Sequence, residues 1–287
     1  MGAMSMVVKA LTQPFEVSEG GPSILSEVRQ RIVSAGREKW FDSMMQGRKG
    51  ALAQGFFDSY PRFLTSSDTA STQNRLNLRH RALIESNAAL ISGQRVLDLA
   101  SHDGRWSLAA NKAGAKYVLG IEAREHLVEG ARDNMRAYGV ADGQVEFWQG
   151  DLMVELDKIE PGSFDTVFSF GFFYHTIDHM PILRKIARIK PAAVIIDTWI
   201  SSRPGNIVEI HEEGIDHESH AAFGDPGHPS RAIKGHLSRG ALEAMLKAAG
   251  YPNFRYYNWR SSGVQRWDDM KAYYMGNRIT VTATPGR

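Results

Sequence analysis

The chain of 287 residues contains no cysteine, which excludes disulfides and any zinc or iron–sulfur centre held by thiolates. It contains no apolar run approaching the roughly 20 residues of a membrane-spanning helix. Neither sign of charge dominates. Its 34 Lys and Arg against 32 Asp and Glu leave a formal net charge of +2, and the basic residues form no blocks. A broad nucleic-acid footprint is therefore disfavoured, although a local contact is not. An apolar fraction of 43% and a charged fraction of 23% are those of a globular enzyme or binding protein. The opening MGAM reads as an expression-vector remnant, and no signal-peptide pattern follows it, so a cytoplasmic location is expected.

What is present falls into three stretches. Residues 1–22 have little pattern and read as a loose arm, and residues 23–92 read as a helical cap. In the cap, Ile24, Leu25, Val28, Ile32 and Val33 follow Ser23 at helical spacing, and a second helix is expected over Thr72–Leu90. Trp40, Phe41, Phe56, Phe57, Tyr60 and Phe63 form either a stacking wall for a planar or sugar substrate or the packing of the cap. From 93 to 287 short apolar runs alternate with helical patterns: strands near 95–100, 115–123, 144–151, 162–173 and 192–201, with helices near 104–114, 125–139 and 179–189. Two more strand candidates lie at 253–259 and 278–284, after a helix capped by Ser238 and Gly250. The expected fold is α/β, a doubly wound, mostly parallel seven-stranded sheet with a helical N-terminal cap. Residues 201–236, rich in His, Pro and Gly, interrupt that rhythm and read as a lid insertion.

Glycine is scarce where it would matter for a phosphate. The first strand and its turn read VLDLASHDGRWSL (96–108), with Asp98 at the strand end and one later glycine, Gly104. A dinucleotide site would need G-x-G-x-x-G so that backbone amides approach a pyrophosphate. An aspartate there repels phosphate and suits a ligand carrying positive charge nearby. S-adenosyl-L-methionine (SAM), with an ammonium and a sulfonium and no phosphate, meets that description.

At these residues the chain resembles the class I SAM-dependent methyltransferases, whose Rossmann-like fold carries (D/E)-x-G-x-G-x-G at this turn. Asp98 and Gly104 match the ends of that motif, while Ala100 and His102 replace two glycines. The substitution at 102 predicts a turn with negative φ or a rarer conformation there. Three further landmarks keep register: Glu122 ending the second strand, Asp151 in QGDL after the third, and FDTVFSFGFFYH (164–175) at the fourth. The resemblance implies a SAM site built from Asp98, Ala100, Ser101 and Gly104, with Glu122 on the ribose hydroxyls. It also implies Asp151 and Leu152 at the adenine and Phe170 beside the cofactor. Arg75 and Arg79, on a helix entering the cofactor domain, pair either with the SAM carboxylate or with surface acids.

Methyl transfer needs a base when the acceptor is a weakly nucleophilic hydroxyl. His175 is the first candidate, since an imidazole accepts a proton near neutral pH. The alternative is a histidine that orients a loop or packs on the adenosine. Tyr174 positions substrate or packs, and His179 is the reserve base, with Asp178 as a helix cap. Enzymes that methylate adenine or glutamine nitrogen carry (D/N)-P-P-(Y/F) after the fourth strand, where this chain has SFGF (169–172), so an oxygen acceptor is favoured.

Within the family the chain is similar to sugar-directed O-methyltransferases, which implies a small hydroxylated acceptor, such as the 1-OH of a 3-O-methylated mannoside. A tRNA wobble-uridine alkyltransferase, suggested by FGFFYH, and a non-catalytic SAM-binding protein are the alternatives. The lid stretch EIHEEGIDHESH (209–220) offers Glu209, His211, Glu212, Glu213, Asp216, His217, Glu218 and His220. With Asp197 after the fifth strand, these are candidates for Mg²⁺, but no ligand spacing supports a metal, and a solvated polar lid is the plainer reading. A homo-oligomer stays open, and no membrane contact is expected.

Overall fold

The computed structural model describes residues 50–66 and 72–286, together with Lys39. The arm at 1–22, the helix expected from Ser23 and the aromatics Trp40 and Phe41 lie outside the described residues. Residues 49–287 form one compact unit.

Helix α1 (Gln73–Leu83) starts at Thr72, whose hydroxyl accepts the Arg75 N–H at 3.1 Å, and runs on as a 3-10 segment, Glu85–Leu90. The sheet begins with β1 (Arg95–Leu99), followed by α2 (Arg105–Lys112), β2 (Tyr117–Glu122) and α3 (Glu125–Ala137). Next come β3 (Val145–Gln149), the short α4 (Leu152–Glu155), β4 (Thr166–Phe170), α5 (His179–Ile189) and β5 (Ala193–Trp199). After β6 (Val208–Gly214) and β7 (Arg231–Leu237) the chain closes with α6 (Arg239–Ala248), β8 (Asn253–Tyr256), α7 (Lys271–Tyr274) and β9 (Arg278–Thr284).

Seven strands form one sheet in the order β3-β2-β1-β4-β5-β9-β8, in which β9 alone runs against the direction of the other six. The strand order reverses between β1 and β4. In such sheets the crevice beyond the strand ends at that reversal is where ligands bind.

Alternation along each strand divides the core into two layers. Leu97, Leu119, Val167, Val194 and Ile196 face α5 and α6, where Ile182, Leu183, Leu242 and Leu246 are buried. Val96, Val118, Phe168 and Ile195 face α1, α2 and α3. Each of these side chains stabilises the fold by about 1.5–3 kcal/mol through burial. Phe57 and Phe63 belong to the second layer: Phe57 meets the Trp106 ring edge-on at 5.4 Å, and Phe56 stacks on His80 at 4.3 Å. The described N-terminal aromatics therefore pack the helical side of the sheet and do not build a wall for substrate.

The lid segment differs from a plain loop. β6 and β7 pair in antiparallel register from Val208↔Leu237 to Gly214↔Arg231, as a separate two-stranded sheet. On β6, Glu209, His211 and Glu213 alternate with Val208, Ile210 and Glu212. One face is polar throughout and the other has only Val208 and Ile210 as apolar positions, too short an alternation to announce the strand. His217 and His220 lie in the connecting loop and not on a helix, with His217 Nδ1 at 2.7 Å from Ser219 Oγ.

One buried carboxylate ties β5 to its surroundings. Asp197 sits opposite Thr280 of β9 and accepts from Thr280 Oγ1 (2.7 Å), Tyr273 Oη (2.9 Å), Arg278 Nε (2.6 Å) and Arg79 Nη2 (3.1 Å). Burial pushes its pKa up, but the two guanidiniums outweigh burial and hold it at about 2. Asp197→Asn leaves Arg278 and Arg79 buried without a counter-charge, so urea unfolding should show a loss of about 3–5 kcal/mol. An unchanged midpoint would show that the two arginines do not depend on Asp197.

Candidate functional site

The β1–α2 turn holds the conformations that glycine would supply. Ala100 and His102 have φ of 53° and 55°, and Gly104 has 78°. The expectation of negative φ at His102 is therefore not met. Left-handed backbone at Ala100 and His102 costs on the order of 1 kcal/mol or more each, and local hydrogen bonds hold it. The Ser101 N–H donates to the Ile121 carbonyl at 3.0 Å, and the His102 N–H to Glu122 Oε2 at 3.0 Å. At Gly104 a Cβ would meet the Phe147 ring at 2.9 Å, so this one glycine is needed for space as well as for φ. Asp103, fully buried next to the turn, is held well below the usual carboxylate range: burial would raise it, but its ion pair with Arg105 at 2.6 Å prevails.

Beyond the strand ends lies a cavity of about 610 Å³, within the size range of small-molecule sites. Of the residues singled out from sequence, it is lined by Ala100, Glu122, Asp151, Leu152, Phe170, Arg75, Tyr174 and His175. Arg79, Arg124 and Arg278 line it too, as does the lid from Glu218 to Pro226. Glu122 accepts one N–H on each oxygen, from His102 and from Arg124, both at 3.0 Å, and each oxygen keeps a second acceptor position. Asp151 caps α4 by accepting the Met153 N–H at 2.8 Å, while Phe170 stacks on Phe168 at 4.5 Å.

Four sequence candidates do not reach the cavity. Ser101 and Gly104 shape the turn from beneath it. Asp98 is 1% exposed and accepts the Ser107 hydroxyl at 2.6 Å. Burial pushes its pKa up to about 7, against the Ser107 hydrogen bond. His179, the reserve base, is 1% exposed, with Nε2 at 3.0 Å from the Phe173 carbonyl oxygen and its ring on Phe173. Its protons are committed to the loop that carries His175, so it is a packing residue of the α5 start.

His175 has a partner that sequence spacing did not single out. Its Nδ1 lies 2.6 Å from Oε1 of Glu213 on β6. Glu213 also accepts from Lys234 Nζ and from the Ala221 N–H, at 2.7 and 2.8 Å. Those contacts overcome burial and hold its carboxyl at about 2. An ionised carboxylate on Nδ1 fixes the neutral ring as the Nδ1–H tautomer and leaves Nε2 as the acceptor. Burial lowers the His175 pKa, Glu213 opposes that, and Lys234 and Arg278 add to the lowering. Arg124 fastens the lid over this arrangement, with Nη2 donating to the carbonyls of His217 and Ala221 at 3.1 and 3.0 Å.

Among the described residues no cluster of three or more His, Asp or Glu is placed to hold a metal ion. Asp197, named as a magnesium candidate, is engaged by Arg79, Arg278, Tyr273 and Thr280. No helix among the described residues is long and apolar enough to cross a membrane.

The geometry has counterparts among known proteins. Residues 96–190 match the family profile described as a methyltransferase domain. The ubiquinone biosynthesis O-methyltransferase of Neisseria meningitidis serogroup A is 29% identical over 160 residues, 55% of this chain and 63% of that protein. The ribosomal protein L11 methyltransferase of Deinococcus radiodurans is 37% identical over 111 residues, 38% of this chain and 40% of that protein. The chain thus spans less than two thirds of the length of either relative. The N-terminal domain of EvdMO1 with SAH bound superposes with a TM-score of 0.55 at 22% identity, over 76% of this chain and 86% of that one. The fold is the Rossmann-like methyltransferase fold. Fold and matched domain together support a class I SAM-dependent methyltransferase.

The buried Asp98 makes the stability of the fold depend on pH. A carboxyl whose folded pKa lies above its unfolded value of about 3.9 favours the folded state only while protonated. Stability should therefore fall as pH rises from about 4 to about 7 and then level off. In Asp98→Asn that slope should vanish, with a gain of about 2–4 kcal/mol at pH 8 over wild type. Parallel stability–pH curves for the two proteins, from urea titrations, would contradict the assignment.

Proposed function

We propose that the protein is a SAM-dependent O-methyltransferase that uses His175 as general base toward a hydroxyl of a small hydroxylated acceptor. The observation that carries this reading is the 2.6 Å contact between His175 Nδ1 and Glu213 in the wall of the same cavity as Glu122 and Asp151. The residues present fit SAM. Glu122 keeps acceptor positions for two ribose hydroxyls, Asp151 and Leu152 border the adenine end, and the β1–α2 turn offers no phosphate cradle.

When bound, SAM supplies a methyl group on a sulfonium, so transfer forms a C–O bond as the C–S bond breaks. This chain's part is to bind, orient and accept a proton. The acceptor hydroxyl donates to His175 Nε2 and its proton moves there during attack, while Glu213 stabilises the imidazolium through Nδ1–H. The lid, held by Arg124, limits water at the reacting centre. An acceptor of the sugar class, of which the anomeric hydroxyl of a 3-O-methylated mannoside is one instance, matches the polar lining of Thr176, Asp178 and Asp225. The SFGF stretch after β4 supports oxygen over nitrogen as the acceptor atom.

Two sets of variants test this. Glu122→Ala should weaken SAH binding at least about 100-fold in calorimetry, because two hydrogen bonds to a charged group are lost. His175→Ala should keep SAH affinity within twofold while methyl transfer from radiolabelled SAM into a fractionated extract falls about 10²–10⁴-fold. The wild-type rate should drop as pH falls through a pKa below 6.5, where the imidazole becomes protonated. Glu213→Gln should move that inflection lower still, because a supporting charge is gone. A normal rate in His175→Ala would remove the base assignment.

A further inference from the structure

The cavity carries its charges unevenly. Glu122 and Asp151, together with Arg105 and Arg124, lie toward β1, β2 and β3, whereas Arg75, Arg79 and Arg278 line the side formed by α1, β5 and β9. β2 and β5 are three steps apart in the sheet, or about 14 Å.

The arginine side holds more positive charge than its own carboxylates balance. Asp197 is bound by Arg278 through Nε at 2.6 Å and Nη2 at 2.5 Å, which cancels one guanidinium. Arg79 shares the same oxygen through Nη2 at 3.1 Å and lies over the Trp106 ring at 4.9 Å, but its buried Nε has no partner among the described residues. Arg75 donates to the backbone carbonyl of Asp269 at 2.6 Å, while the Asp269 carboxylate is engaged by Thr72 and Asn74. Three guanidiniums therefore outnumber the two carboxylates near them, Asp197 and Asp269, and Arg79 is 8% exposed. Buried charge without a counter-charge is costly, and a buried donor without an acceptor adds to the cost.

SAM relieves only part of this. Its carboxylate offers one negative charge, for which Arg75 and Arg79 are both candidates, but its ammonium and sulfonium add two positive ones. The cofactor-loaded cavity is thus more positive than the empty one. The arginine side also adjoins the base. Arg278 lies 5.7 Å from the Tyr174 ring centroid, and its Nη2 comes so close to Gly171 that a Cβ there would stand 3.3 Å away. A molecule that presents a hydroxyl to His175 therefore extends toward Arg79 and Arg278.

We propose that the methyl acceptor carries an oxyanion, a carboxylate or a phosphate, which docks on the guanidinium edges that Arg79 and Arg278 present to the cavity. This rests on the methyl-transfer reading and narrows it: the hydroxylated acceptor, sugar or otherwise, also bears an acid or phosphate group. A guanidinium fork suits either oxyanion.

The test uses the full chain saturated with SAH, titrated with sodium acetate or inorganic phosphate at ionic strength held constant with chloride, and read by calorimetry and by NMR of the arginine Nε–H signals. The account predicts that one or both anions bind the SAH complex and perturb the Arg79 Nε–H resonance, and which anion binds better identifies the oxyanion. Arg79→Met keeps the stacking bulk on Trp106 and the Arg278–Asp197 pair. It should weaken that anion about tenfold, with SAH affinity within twofold and melting temperature within a few degrees of wild type. Arg79→Lys, which keeps charge without the planar fork, should fall between the two. Anion binding that saturating SAH abolishes would assign the arginines to the cofactor carboxylate and overturn the proposal. So would the absence of anion binding by wild type, or binding undiminished in Arg79→Met. Failure to bind SAH at all is read separately in the same titrations; it overturns the methyl-transfer reading and this proposal with it.

Discussion

The carboxylate of Glu213 joins three segments that are distant in sequence. It meets His175 after β4 at 2.6 Å, Lys234 on β7 at 2.7 Å, and the backbone of Ala221 in the lid at 2.8 Å. A carboxylate this buried stays charged only because each oxygen has strong donors. The same donors fix where the β6–β7 hairpin rests. Arg124, two residues after Glu122, then binds lid carbonyls to the end of β2. Base, lid and the acid expected at the ribose thus form one connected network. Moving the lid would separate Glu213 from His175 and release a clamp beside Glu122 in the same motion.

The sheet explains why these groups meet. Order reverses between β1 and β4, so the turns after β1 and β2 open one half of the crevice and those after β4 and β5 open the other. Acids end β2 and follow β3, while arginines reach the far half from α1 and β9. The strained turn at Ala100 and His102 is the cost of bringing backbone close to the crevice without glycine. Its hydrogen bond to Glu122 couples that strain to the cofactor end.

Much of the fold was legible in the sequence because β1, β2, β4 and β5 are short apolar runs buried on both faces, and the helices after β1 and β2 stop at Gly114 and Gly139. Ser238 does cap its helix, accepting the Ala241 N–H at 3.2 Å. The β6–β7 hairpin was not legible, since its few apolar positions, such as Val208 and Ile210, stand among His, Glu, Gly and Pro. At the site, Glu122, Asp151 and His175 follow strand ends, where spacing alone carries them to the crevice. Glu213 was one acid among several in the lid, and only the hairpin register singles it out. Arg278 gave no signal, because its role depends on an antiparallel strand arriving from the C-terminal end. Asp98 shows the limit of motif reasoning: the strand end was right, but Ser107 and the core hold the side chain beneath the cavity.

The most direct measurement is a crystal structure of the protein with SAH. The account predicts the ribose hydroxyls on Glu122, the adenine beside Asp151 and Leu152, and the sulfur facing His175 Nε2. The gap between sulfur and Nε2 should be about 6–8 Å, enough for a methyl group and one hydroxyl oxygen in line. Adenosine seated away from Glu122, or a sulfur turned from His175 with the lid closed, would contradict it.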